Sequence, residues 1–284
     1  MAKTIQVITG PTSSGKTALA LEFCKKNNGE IISADSRQIY KYMDVGTGKL
    51  PIDKTANEVE KFDKYWIVDG IKIWMYDVVN PGEYYSVKDY KFDCIKIIND
   101  VLSRKKTPII VGGTGLYLDA ILGKKTDFNV SANWDLRKIL DRKSVIDLQK
   151  MIDPKILDKM NNSDKNNPRR LIRKIEIAQK AKLPFQLDDV SSKYEFSVEV
   201  INLSRKELYH RVDIWVDKIW DPLIAETLRL IDFGYSDAPT LNGIIYKTAK
   251  NFIKGDIKKN TAIERIKFDL HAYIRRQETW FNKY

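Results

Sequence analysis

The octapeptide GPTSSGKT, Gly10 to Thr17, constrains this chain more than any other stretch. It has the G-x-x-x-x-G-K-T spacing of a phosphate-binding loop, with the apolar run TIQVIT before it and the amphipathic run TALALEFCKK after it. That context predicts a strand, a glycine-rich turn and a helix, which is the setting in which this spacing binds phosphate. In such a loop, here Gly10, Pro11, Thr12, Ser13, Ser14, Gly15, Lys16 and Thr17, backbone N–H groups turn inward. The N-terminus of the following helix adds the favourable end of its dipole. Lys16 contributes a point charge, and the Thr17 hydroxyl is a ligand for Mg²⁺. The loop alone leaves open whether its guest is ATP.

The surroundings of the loop set the expected fold class. Strand signals recur at residues 4–9, 30–34, 71–79 and 108–111, separated by helical stretches at about 16–27 and 87–103. This alternation predicts an α/β fold, a P-loop NTPase-like parallel sheet with crossover helices. Residues 133–182 contain no convincing strand, but Asp153-Pro154 and Asn167-Pro168 each read as a helix cap with proline at the first helical position. Residues 124–190 are therefore expected to form a small all-helical insertion, with 1–123 and 191–284 making the catalytic core. After the insertion FSVEVINL returns as a strand, Ser204 caps a helix expected to run to about Trp220, and Thr261 to Phe281 reads as another amphipathic helix.

Composition narrows the function. No N-terminal stretch has a signal-peptide layout, and no apolar run approaches the roughly 20 residues that span a bilayer, so a cytoplasmic protein with no membrane contact is expected. Two cysteines, Cys24 and Cys94, and two histidines, His210 and His271, stand far apart, which argues against a zinc site or a histidine-based triad. The formal net charge is +11, and residues 124–190 carry 16 basic against 10 acidic side chains. A local excess of this kind attracts polyanions, nucleic acid above all. A lysine-rich solvated surface would give the same count.

Two further stretches point to one crevice. ISADSRQIYKYMDVGTGK, Ile32 to Lys49, places Asp35 at the carboxyl end of the second strand, on the sheet edge from which the phosphate loop emerges. Ligands of open α/β folds bind at that edge. VGGTGLY, Val111 to Tyr117, brings glycines to a third strand end, where they permit close backbone approach. Asp77, also at a strand end, could instead serve as an outer ligand of Mg²⁺, and the sequence commits it to no role.

These stretches, with DVVNPGEYYSVKDY, NPRRLIRKIEIAQK, SRKELYHRVD and the closing RQETWF, resemble the tRNA dimethylallyltransferase family in order and approximate spacing, nearly end to end. The chain departs from the family pattern in three places: KIWMYD lacks the usual His-His pair, Pro222-Leu223 replaces Gly-Leu, and Ile244-Ile245-Tyr246-Lys247 replaces IGYK. The resemblance implies that the loop holds the diphosphate of dimethylallyl diphosphate, with Mg²⁺ on Thr17. The acceptor would be N6 of the adenosine 3′-adjacent to the tRNA anticodon (position 37). Asp35 would act as general base beside Lys16 and Thr17, because the N6 lone pair is delocalised into the ring. The target base must leave its stack to reach the site. Family tRNA contacts carry over to Asp35, Ser36, Arg37, Gln38, Thr114 and Arg137, to Arg169, Arg170, Leu171, Ile172 and Arg173, and to the stretch Asn242 to Lys247. Arg169 and Arg173 would share one helix face, with Glu176 as an alternative partner for that face. A monomer is expected. Two other readings keep the loop: an adenine-nucleotide isopentenyltransferase and a P-loop small-molecule kinase.

Overall fold

A computed structural model describes residues 3–49, 58–124, 132–180 and 193–283. In chain order the elements are β1 (Lys3–Thr9), α1 (Lys16–Asn27), β2 (Gly29–Ser33), β3 (Val59–Phe62), β4 (Tyr65–Val68), β5 (Ile71–Trp74), α2 (Val87–Ser103), β6 (Thr107–Gly112) and α3 (Gly115–Ile121). There follow α4 (Trp134–Leu140), α5 (Val145–Lys150), α6 (Pro154–Asp158), α7 (Asn162–Lys165), α8 (Pro168–Lys180), β7 (Tyr194–Val200), α9 (Arg205–Asp232), a 3₁₀ turn (Pro239–Asn242), α10 (Ile244–Ile253) and α11 (Lys259–Phe281). The chain divides into two compact units, Met1–Leu122 with Val190–Tyr284, and Gly123–Asp189.

The first unit is built on one seven-stranded sheet in the order β3-β4-β5-β2-β6-β1-β7. Its five strands from β5 to β7 pair in parallel, and β3, β4 and β5 pair antiparallel at one edge. The expected α/β class is therefore observed, with an added hairpin. β2 is buried along its whole length and β6 from Pro108 onward, as parallel strands covered on two faces are. One face packs Ile5, Val7, Ile32 and Ile110 against α2 and α3; the other packs Ile8, Ile31 and Ile109 with Ala20, Leu21 and Cys24 of α1. Cys24 and Cys94 are buried free thiols, each pushed up to about 12 chiefly by that burial.

Two expectations from sequence are corrected here. The run 71–79 is no single strand: β5 stops at Trp74, because Met75 and Asp77 adopt positive φ of 70° and 55°, and Val79 makes an isolated parallel bridge to Tyr40 outside the strands of the sheet. Helix α9 passes the expected stop near Trp220 and continues to Asp232 with Pro222 inside it. An internal proline costs about 3 kcal/mol. Leu208, Val212, Val216, Ile219, Leu223 and Leu230 stay buried in one core with α10 and α11 on both sides of Pro222, and that packing outweighs the cost.

In the second unit the described residues contain helices and turns and no strand. Asn133, Ser144, Asp153 and Asn161 each accept a backbone N–H with the side chain at a helix start, and Pro154 and Pro168 open α6 and α8. The core is Leu140, Leu148, Ile152, Leu171, Ile172 and Ile175.

Candidate active site

The phosphate loop joins β1 to α1. Gly15 caps α1 with φ of 90°, in the left-handed region that favours glycine, and no side chain caps that helix. The first-turn N–H groups of α1 thus lack side-chain partners and suit an anion. Lys16 Nζ donates to the carbonyl oxygens of Gly10 (2.9 Å) and Pro11 (2.5 Å) and lies 3.5 Å from Ser14 Oγ. Burial draws its pKa down to about 8, against the pull of the Asp35 charge. No carboxylate is paired with this ammonium at salt-bridge distance among the described residues.

Asp35 follows β2 and is half-buried. Its Oδ1 accepts the Arg37 N–H at 2.8 Å. Burial raises its pKa above that of an ordinary aspartate, opposed by the Arg37 N–H and by the charges of Lys16 and Arg37. A cavity of about 640 Å³ contains Thr12, Ser13, Gly15, Lys16 and Thr17 of the loop together with Asp35, Ser36, Arg37 and Gln38. Gly10, Pro11 and Ser14 shape the loop without lining this space. Thr114 stands behind Ser36, its Oγ1 accepting the Ser36 N–H at 2.9 Å. Gln38 accepts from Ser33 Oγ at 2.8 Å and donates to the Thr47 carbonyl at 3.3 Å. Asp77 lies outside the cavity lining: its carboxylate takes Lys49 Nζ and Trp66 Nε1, each at 2.6 Å, so it is committed to a buried ion pair rather than offered to a metal.

The 46–48 loop and Gly113 add to the lining, and helices late in the chain supply much of the rest. α9 supplies Arg211 and Trp215, α10 supplies Ile244, Ile245 and Tyr246, and α11 supplies Leu270, Tyr273 and Gln277. Gln277 is buried and bridges two strand ends: its Oε1 accepts the Thr12 N–H at 2.8 Å and its Nε2 donates to the Gly113 carbonyl at 3.2 Å. Ile244, Ile245 and Tyr246 belong to the Asn242 to Lys247 stretch expected to contact tRNA, and they line this cavity; sequence reasoning assigned the α9 and α11 residues no separate role. For α9 and α11 the signals were the SRKELYHRVD and RQETWF stretches that hold Arg211 and Gln277, and local pattern says nothing of where a helix 200 residues on will dock.

The residues expected to grip tRNA in the helical unit divide into three groups. Leu171 and Ile172 are core side chains, so they pack the unit instead of presenting themselves to RNA. Arg137 and Arg173 share buried Glu176: Arg137 Nε and Nη2 lie 2.7 and 2.8 Å from its two oxygens, and Arg173 Nη1 lies at 3.1 Å. The Asn133 N–H adds a fourth donor at 2.9 Å, and although burial raises the Glu176 pKa, these donors together hold it below the usual glutamate value. Arg169 and Arg170 are exposed, and Arg170 pairs with Asp164.

With the geometry in place, the comparison with known families is decisive: a family model described as IPP transferase matches residues 38–284. The chain belongs to the IPP transferase family. Curated relatives of this IPP transferase include a tRNA dimethylallyltransferase of Acetivibrio thermocellus, 36% identical over 98% of this chain and 88% of that protein. Among solved structures, a tRNA isopentenylpyrophosphate transferase of Staphylococcus epidermidis has a TM-score of 0.65 at 32% identity, covering 98% of this chain and 90% of that one. Its counterpart from Bacillus halodurans has a TM-score of 0.67 at 30% identity, covering 100% and 88%. The family match begins at Gln38, so the phosphate loop and Asp35 lie ahead of it.

Proposed function

We propose that this chain transfers the dimethylallyl group of dimethylallyl diphosphate to N6 of the adenosine 3′-adjacent to the tRNA anticodon. One observation carries the reading: a phosphate loop with its lysine and a half-buried carboxylate of raised pKa line the same cavity. As the allylic C–O bond breaks, charge grows on the departing diphosphate. The loop N–H groups and Lys16 stabilise that charge where it develops. Lys16 Nζ now rests on carbonyl oxygens and would exchange them for diphosphate oxygens. N6 of adenine forms the new C–N bond and loses a proton, which Asp35 takes.

The residues fit Mg²⁺. Among the described residues no cluster of three carboxylate, histidine or cysteine side chains is available to cage a metal. Mg²⁺ is commonly held by one or two protein ligands plus substrate phosphates, and Thr17, which lines the cavity, would hold it through its hydroxyl. Held there with the diphosphate, the ion would supply neutralising charge to the leaving group.

The helical unit supplies the RNA contact through exposed Arg169 and Arg170. The test is incubation with labelled dimethylallyl diphosphate, Mg²⁺ and either bulk tRNA, AMP or ATP. Label recovered as N6-dimethylallyl-adenosine in digested tRNA is expected. Label in AMP or ATP would favour a free-nucleotide enzyme, and ATP consumption without label transfer would favour a kinase.

A further inference from the structure

We propose that Glu226 is a positioning residue that sets the acceptor wall of the cavity. It lies on α9, is 1% exposed, and does not line the cavity. Its carboxylate accepts four hydrogen bonds. Oε2 takes the N–H groups of Asp44 (2.8 Å) and Val45 (2.7 Å); Oε1 takes the Gly46 N–H (3.1 Å) and the Tyr246 hydroxyl (2.6 Å). Among the described residues no lysine or arginine pairs with it, so a buried anion is held by three consecutive backbone donors and one phenol. Burial of an anion is tolerated only with such full satisfaction.

The groups it holds form the wall. Gly46 and Tyr246 both line the cavity and touch each other: a Cβ on Gly46 would come within 2.6 Å of the Tyr246 ring. One carboxylate oxygen therefore fixes the two partners of a contact that leaves no room for a methyl group. The wall belongs to the acceptor side. Thr47, next in the loop, accepts from Gln38, in the segment after Asp35, whereas the phosphate loop is braced separately by Gln277. The assignment to the acceptor side rests on the transfer reaction proposed above.

The chemistry sets a graded series. Tyr246→Phe removes one donor and leaves the carboxylate with its three N–H groups. Glu226→Gln keeps the shape but turns one acceptor into a donor, so at least one backbone N–H loses its partner. Glu226→Ala removes all four bonds. Misplacement of a reacting group by about 1 Å can cost on the order of 10²-fold in rate. The expected loss in kcat/KM for tRNA is small for Phe, about 10-fold for Gln and about 10²-fold for Ala, with the KM for dimethylallyl diphosphate unchanged within about 2-fold. Amide hydrogen exchange at Val45 and Gly46 should quicken in the same order. Faster exchange in Glu226→Gln with wild-type kinetics would overturn the proposal, as would a loss falling equally on the diphosphate KM. If Ala does not fold, Gln and Phe decide. Absence of tRNA transfer by the unaltered enzyme would instead sink the functional reading, before any variant is compared.

Discussion

The phosphate loop and the helical unit are both basic, yet they hold their charge in opposite ways. In the loop, Lys16 rests on carbonyl oxygens with no carboxylate in salt-bridge contact among the described residues, and burial lowers its pKa to about 8. In the helical unit, Arg137 and Arg173 are tied to one buried carboxylate, Glu176. The first cation is held at a cost that an arriving anion relieves, while the second pair is already neutralised in part and works for the fold. A count of basic residues therefore does not locate ligand-binding charge; the partner of each cation does.

Breaking the loop side should give the largest effects. Asp35→Asn keeps size but cannot accept a proton, and kcat should fall by roughly 10²–10⁴-fold in a single-turnover transfer assay. Lys16→Ala should lower kcat/KM for the diphosphate by roughly 10²–10³-fold, with tRNA affinity held within a few-fold by filter binding. Their titrations give a bell-shaped kcat/KM for the diphosphate. Asp35, raised above an ordinary aspartate, must lose its proton, so the acid limb lies higher than that of a free carboxylate. Lys16 must keep its proton, so activity declines as pH rises through about 8. Removing the Asp35 charge takes away the pull that raises Lys16, so in Asp35→Asn the alkaline limb should move to lower pH.

The helical side should respond through stability first. Arg137→Ala leaves Glu176 with Arg173 and the Asn133 N–H, so the loss should be about 2 kcal/mol in denaturant melts followed in that unit, below the 3–5 of a fully stranded buried charge. Arg169→Ala should leave stability unchanged and flatten the slope of log K for tRNA against log salt by up to about one unit. An Arg137→Ala variant with intact stability and a flattened slope would reverse the comparison.

The sequence carried the sheet's parallel half and the spans of α1 and α2, the first opened by the glycine-rich turn that marks it locally. It also carried the two starts at Pro154 and Pro168. The β3–β4 hairpin and its turn into β5 escaped, although Asp69-Gly70, with φ of 52° and 75°, is the kind of dipeptide that closes a two-residue hairpin. β3 and β4 have four residues each, too short for alternation to stand out. Within the site, Asp35 and the loop were legible because both sit beside strand ends. Gln277 and Glu226 were not: each acts on a segment 180 or more residues away, a relation only tertiary packing creates.

The position of β7 has a consequence for how the protein is made. Strand β1 lies between β6 and β7, and Lys3 pairs with Tyr194 across the whole helical unit. At a synthesis rate of about 5–20 residues per second, the strand that leads into the phosphate loop waits roughly 10–40 s on the ribosome for its second neighbour. During that interval one side of β1 offers unpaired N–H and C=O groups, a template for pairing with the wrong chain. The helical unit is complete before β7 emerges. The insertion can therefore close while the sheet still lacks its last strand, and the interval before β7 arrives is when the β1 edge is most open to mispairing.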